Sequence, residues 1–479
     1  MALHKINVLF ITTGVITLVV FAGILAFLLN IKAFKPQIEA AASTALGMDV
    51  RIKGRMGIDL PPGFGLSLED VNVRNRGLDV VTIEKMSIGL KIFPLARKKV
   101  QISRVGLIEP VFSIVRYKNG MSNFDKPRPT PSVNSLAVKK ISISQGNLVY
   151  TDETSGDQIE VNNFDLILNN HSYNKTAIAE PAKSISFTGN IRCEIFKIYN
   201  FTLMNLVMSA AGKNGILDIN PVSMNILGGT GNGSLHVDMT GPSPHYRVIY
   251  KLNRVGIGEL LQQYSLKKFS EKTIEGPINF SADLTARGKS ANAVKRSLSG
   301  NLSLSGENLM LCNIDIDALI MKYERSQNLN LVDVGAILIA GPFGPLLTKS
   351  YNFTNLYEES QGGKGIIRKL VSVWKVQNGI AEARDVALAT TKQRIAMKGG
   401  LNFINERFVD VTIAAIDKRG CAVYSEKVHG PFRKPQIEKE NIFKLIAGSV
   451  LNPLEDAWEF IQGEECTVFY SGSVAQPEG

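Results

Sequence analysis

The chain has little of what chemistry at a compact site requires. Its 479 residues include four cysteines, five histidines and two tryptophans, and aromatic residues make up only 8%. Four cysteines over this length do not make a disulfide scaffold. No C-x-x-C pair or Cys/His spacing for a tetrahedral metal occurs either. The histidines, at positions 4, 171, 236, 245 and 429, stand apart in sequence, none beside a second ligand or an obvious nucleophile. His429 lies near Ser425 and Glu426, but sequence neighbours do not build a triad, and no G-x-S-x-G elbow is present. Asp315 and Asp317 follow a strand-like run and open a helical one, which is where capping residues sit. No catalytic group, cofactor or metal site is read from the chain, and it is expected not to be an enzyme.

One glycine cluster invites a nucleotide-binding reading, Gly228-Gly229-Thr230-Gly231-Asn232-Gly233. A dinucleotide fingerprint needs a strand before, a helix after and an acidic residue about 20 positions on. Here Ser234-Leu235-His236-Val237-Asp238 alternates like another strand, so the glycines mark a tight β-turn.

Long charged runs are also missing. Basic clusters such as Arg97-Lys98-Lys99 and Lys418-Arg419 are short, as in solvated loops. The balance is nonetheless basic, with a formal charge of +11 and a pI near 9.3, which suits a surface close to anionic lipid. Nucleic acid would suit the same charge, but the topology that follows argues against it.

From Ile6 to Ile31 the chain has no charged residue. As a helix of about 26 residues this run is roughly 39 Å long, enough to cross a bilayer with some tilt. No small-x-small cleavage site follows it in polar surroundings, so an anchor is favoured over a removed signal peptide. Lys5 and the terminal amine favour a cytoplasmic N-terminus, leaving the bulk of the chain beyond the membrane. The expectation is a single-pass membrane protein with an extracytoplasmic body.

Beyond the anchor, Phe34, Ile38, Ala41, Ala42 and Ala45 recur at helical spacing, with Pro36 in the first turn and Gly47 as a stop. From Val50 the period becomes two. Met86, Ile88, Leu90 and Ile92 alternate with Ser87, Gly89 and Lys91; Ile278, Phe280, Ala282 and Leu284 behave likewise, as do Val409, Val411 and Ile413. Strict alternation gives each strand one apolar and one wet face. Turn signals such as Asp70–Asn75, Lys118-Asn119-Gly120 and Asp152–Asp157 punctuate the strands, as in all-β architecture. Asp125–Pro131, with three prolines, is the best linker candidate. Short helices are expected at Gly258–Tyr264, Ala291–Ser297 and Asp315–Arg325. A longer one at Asn441–Ile461 carries the stripe Phe443, Ile446, Val450, Leu454, Trp458 and Ile461. That stripe caps a sheet, or lies on a membrane or a partner.

Cys421 and Cys466 each lead into a strand-like stretch. In an oxidising compartment they would close a loop of about 45 residues, worth about 4 kcal/mol on the chain-entropy model; two buried free thiols are the alternative. Cys193, alternating with Ile191 and Ile195, and Cys312, after Leu311, read as small core residues.

The fold expected is therefore mainly β: an elongated, twisted antiparallel sheet with a few short helices. At about 4.8 Å per strand, 24–28 one-faced strands would lay down an apolar lane of roughly 120 Å. Such a face either packs on a second sheet or holds something apolar. Met86, Ile88, Leu90 and Ile92, and Ile278, Phe280, Ala282 and Leu284, are the candidate lane residues.

The chain resembles the AsmA family of envelope proteins of Gram-negative bacteria. The N-terminal likeness runs through Leu66–Val73, Ile92-Phe93-Pro94-Leu95, Gly106–Pro110 and Asn119–Phe124. The C-terminal likeness runs through Gly300–Gly306, Asp315-Ile316-Asp317, Gln377–Ile380, Asp385–Leu388, Met397–Phe403 and Asp417–Cys421. Where the family commonly has Asn-Trp, this chain has Asn123-Phe124, which keeps an aromatic. The resemblance implies a chorein-like start related to bridge-like lipid-transfer proteins, a role in outer-membrane homeostasis and movement of phospholipid from the inner membrane. It implies no catalytic residues. The domain organisation expected is an anchor at 1–31, an N-terminal β region at 32–130, a middle groove region at 131–299 and a C-terminal AsmA-like domain at 300–479. The partners expected are phospholipid, the inner membrane and a periplasmic or outer-membrane acceptor protein. A protein that assists outer-membrane assembly without holding lipid is the alternative.

Overall fold

In the computed structural model the described residues are 34–59, 64–91, 101–125, 138–173, 185–264, 274–312, 315–318, 320, 363–440 and 467–477. The run Ile6–Ile31, Ile92, Cys466 and the stripe from Phe443 to Ile461 lie outside them. Among the described residues no helix is long and apolar enough to cross a membrane. The fold is mainly β, as a period of two requires, with 21 strands and a few short helices described. The chain forms two compact units, Met1–Asn214 and Gly215–Gly479.

The first unit opens with α1 (Lys35–Leu46), which has proline in its first turn and ends at Gly47 in the left-handed conformation, φ 71°. Its side chains serve β1 (Asp49–Ile52): the Val50 N–H donates to Ser43 Oγ at 2.8 Å and the Ile52 N–H to Glu39 Oε1 at 2.7 Å. The helix thereby satisfies donors that an edge strand leaves open. β1 and β2 (Met56–Asp59) both pair with β3 (Gly65–Asn75). Then follow β4 (Leu78–Leu90), β5 (Ile102–Arg116), β6 (Lys140–Asp152), β7 (Asp157–Tyr173), β8 (Ile185–Ile198) and β9 (Phe201–Lys213), each paired with the one before.

The pairing departs from the expected antiparallel sheet at one place: β5 and β6 are parallel. A parallel neighbour needs a connection long enough to bring the chain back to the same end. The stretch between Arg116 and Lys140, which holds the Asp125–Pro131 segment, supplies it.

Asp70–Asn75 is not a turn. It is the second half of β3, and the turn follows at Arg76-Gly77. Asp70 itself has φ 50°, and so do residues at the same level of other strands: Glu109 (50°), Gln145 (55°), Asn163 (51°) and Asn205 (53°). Glu84 on β4 and Glu194 on β8 stand in register with them. The result is a crease crossing β3 to β9. At the crease the alternation slips by one residue, so the apolar face continues from Leu68 to Val71, from Met86 to Ile83 and from Phe164 to Val161.

The second unit comprises β10 (Ile216–Ile226), β11 (Gly229–Asp238), β12 (His245–Gly256), α2 (Ile257–Tyr264), β13 (Ile274–Glu275), β14 (Pro277–Arg287), α3 (Ala291–Ser297), β15 (Ser299–Cys312), β16 (Lys364–Gln377), β17 (Ile380–Ala389), β18 (Arg394–Asn402), β19 (Arg407–Ile416), β20 (Ala422–Pro431) and β21 (Gln436–Glu440). All its pairings are antiparallel. From β14 to β20 one face forms a closed core that includes Leu370, Trp374, Ile395, Leu401 and Val411, none with any exposure. The reverse face of β16–β19 is covered by residues 467–477. Tyr470 donates to Asp385 Oδ1, Arg394 Nη1 donates to Val474 O at 3.1 Å, and the Arg394 guanidinium lies 5.8 Å from the Tyr470 ring centre.

Candidate functional site

In the first unit the register alone assembles a lane. Leu68 pairs with Met86, Met86 with Leu107, Leu107 with Ile143, Ile143 with Leu166, Leu166 with Ile191, and Ile191 with Met208. On one side of this row runs a second, Leu66–Ile88–Val105–Ile141–Leu168, which ends in Gly189 and Ala210. Beyond the crease runs a third, Val73–Val81–Phe112–Leu148–Val161–Phe196–Leu203. Six strand intervals of about 4.8 Å make each row about 29 Å long.

The opposite face carries Ser67, Ser87, Gly106 and Ser142 in one register row, and Arg104, Lys140, Asn169 and Thr188 in the next. One face is therefore aliphatic, and the other is mainly polar with the exposed Ile108, Val111 and Ile167 scattered along it. Among the described residues the aliphatic face is not closed over. Met86, Ile88, Leu90, Leu107, Leu166, Ile191 and Met208 all remain half-buried. At its first end the lane is capped: Ile38 and Ala42 of α1 pack with Met86 and Ile88 against Val50, Ile52, Leu68, Val71 and Ile83. In mid-lane Ile143, Phe164 and Cys193 are buried beside Leu107, Phe112 and Leu206. Burial raises the Cys193 thiol pKa, as for a small apolar core residue. Cys193 faces the lane with Ile191, whereas Ile195 lies past the crease and pairs with the exposed Met204.

The second group of candidates divides. Phe280 and Leu284 are half-buried, whereas Ile278 (1% exposed) and Ala282 (8%) belong to the closed core. Where β10–β12 begin the unit, Met224, Gly231, Leu252, Phe280 and Leu304 share one register row. The glycine cluster takes part here: Leu227-Gly228 make the turn, and Gly231 and Gly233 lie inside strand β11 against the Tyr250 ring. No helix follows them. Asp315 caps, its Oδ1 accepting the Ala318 N–H at 3.0 Å, and Asp317 accepts from the Thr390 and Thr391 hydroxyls. Cys421 is disulfide-bonded while Cys193 and Cys312 are free; Cys466, the partner expected for Cys421, is outside the described residues.

Sequence reading missed two things. Leu107, Ile143, Leu166 and Met208 were not singled out, because their alternation is interrupted at the crease. The histidines do not all stand apart, either: the β11–β12 hairpin sets His236 opposite Arg247 and Asp238 opposite His245. The turn signal Gly241-Pro242-Ser243-Pro244 would have fixed that register.

The fold is a β-sheet protein whose first unit has an apolar lane on one face, and whose second unit closes its apolar face into a core. The AsmA family model matches residues 1–179 and again residues 165–337, so the chain belongs to the AsmA family. No curated protein and no solved structure matches the sequence. The C-terminal motifs from Gln377 to Cys421 lie beyond the matched residues.

Proposed function

We propose that the protein carries phospholipid from the inner membrane toward the outer membrane, held to the inner membrane by residues 6–31, with its body in the periplasm. Acyl chains lie on the rows through Met86, Ile88 and Leu90, and head groups stay in solvent. The observation that carries this reading is the half-buried aliphatic lane, kept in register over seven strands with a mainly polar reverse face. AsmA membership is consistent with lipid transport in the envelope.

The physics suits a carrier. A two-chain lipid with about 30 methylenes would lose on the order of 25 kcal/mol on entering water, at about 0.8 kcal/mol per methylene. A lane need only match the bilayer, so that the lipid exchanges one apolar surface for another. The closed core around Trp374 favours a second reading for part of the chain, a structural or assembly module that holds no lipid.

The test is native extraction of the full chain followed by lipid mass spectrometry, with a photo-crosslinker at Leu90 or at Lys91. Phospholipid crosslinked from Leu90 and not from Lys91 is the expected result. Ile88→Asp and Leu90→Asp should each abolish lipid retention, and Leu90→Asp should do so with little loss of fold, because Leu90 is only half-buried and, unlike Ile88, does not pack in the cluster under α1. A lipid-free protein whose Leu90 crosslinks only to its own chain would replace the carrier with the assembly module.

A further inference from the structure

At one end of β11, β12 and β14, beside α3, lies an open cavity of about 400 Å³ lined by His236, Asp238, His245, Arg247, Arg287 and others. Two of the carboxylates around it stand behind the donors that line it. Asp218 Oδ1 holds His236 through Nδ1 at 2.5 Å. Asp283 Oδ2 accepts from Arg247 Nη2 at 3.4 Å. Neither carboxylate lines the cavity. The one that does, Asp238, is engaged: its Oδ1 accepts from the Thr240 hydroxyl at 2.6 Å and N–H at 2.8 Å, and these bonds hold its pKa below the usual carboxylate range. Arg287 has no acidic partner among the described residues. The cavity therefore offers a ligand two guanidinium groups and two imidazoles beside one ionised carboxylate, Asp238, whose Oδ1 is taken by Thr240; the arginines outnumber that carboxylate and are the donor set that suits a phosphate oxygen.

Its position adds a second constraint. The terminal register row Asp238–His245–Arg287 and the row His236–Arg247–Thr285 belong to the cavity. The apolar row Ile219–Leu235–Val248–Leu284 is offset from the His236–Arg247–Thr285 row by one residue and so lies on the other face of the sheet. A lipid lying on that row reaches this site only by carrying its polar end around the strand termini.

The geometry points to a phosphate-binding site in this cavity, gripped by Arg247 and Arg287 and flanked by His236 and His245, whose ligand is the phosphodiester of a lipid headgroup or a free phosphate. The assignment to a lipid rests on the carrier reading; the phosphate chemistry does not.

Binding to the full chain in non-ionic detergent would be followed by phosphorus NMR with three probes: inorganic phosphate, glycerophosphoglycerol and dihexanoyl-phosphatidylglycerol. All three should bind, and Arg247→Gln with Arg287→Gln should weaken each at least about tenfold, as loss of charge-assisted bonds requires. The exposed Lys118→Gln should leave all three unchanged. Tighter binding of the diacyl probe than of the chainless diester supports a headgroup; equal binding supports free phosphate or a soluble ester. Absence of binding by every probe, or binding unaltered in the arginine double variant, overturns the site. Because the two chainless probes need no lane, failure of the carrier reading alone would leave their binding intact.

Discussion

A Cβ on Gly233 would sit 2.2 Å from the Ile249 carbonyl oxygen and 2.3 Å from Tyr250 Cδ2. On Gly231 it would sit 2.4 Å from Tyr250 Oη, with no backbone atom among its nearest contacts. The two glycines are thus required for different reasons, one by backbone and one by a ring. Burial raises the Tyr250 pKa, so the ring meets the glycines as a neutral phenol. Gly231→Ala and Gly233→Ala should each cost about 2 kcal/mol from overpacking. In the background of Tyr250→Ala the Gly231→Ala penalty should largely vanish, while that of Gly233→Ala should persist because the Ile249 carbonyl remains. Thermal unfolding of the five variants and the parent reads this directly. Equal rescue of both would mean that the Tyr250 ring, and not the Ile249 carbonyl, excludes a side chain at Gly233.

At the scale of the element, the crease explains both what sequence reading recovered and what it lost. Away from it strands were legible: Met86–Leu90 and Pro277–Leu284 alternate cleanly, and α1 carried its own start and stop signals. Across the crease the apolar face is spaced by three residues, as in Leu68/Val71, Cys193/Phe196 and Leu203/Leu206. That spacing imitates a turn or a helical step, which is why Asp70–Asn75 read as a turn. A residue with φ near +50° bears a Cβ at a cost of about 1–2 kcal/mol, and more for a branched side chain. Gln145 is exposed, and its hydrogen bond at this point comes from its backbone N–H to Asp165 Oδ1 at 3.0 Å, which any residue but proline can make. Gln145→Val should therefore destabilise β6 and β7 by about 1–2 kcal/mol, whereas Gln145→Gly should be close to neutral. Hydrogen exchange in those strands distinguishes them, and equal effects would mean that the left-handed conformation is not maintained in solution.

Over the whole molecule, apolar surface is treated in two ways. In the second unit Leu370, Trp374, Ile395, Leu401 and Val411 have no exposure, so their burial does not depend on any ligand. In the first unit Met86, Ile88, Leu107, Leu166, Ile191 and Met208 lie half exposed in contiguous rows. An apolar face of that kind is stabilised by whatever covers it. Alternation in the sequence could reveal one-faced strands, but it could not say which faces close, because closure depends on contacts distant in sequence. The lane in β4 was therefore legible, while the enclosure of Ile278 was not. A ligand that binds only the folded lane stabilises it by mass action, by about 2.7 kcal/mol at a hundred times its dissociation constant, or about a hundredfold in opening equilibria. Stripping bound lipid with detergent should accordingly speed amide exchange in β5–β9 toward that limit and leave β16–β19 unchanged. If exchange in β5–β9 does not respond, or rises equally in β16–β19, the half-exposed rows carry no lipid and the first unit owes its stability to the sheet alone.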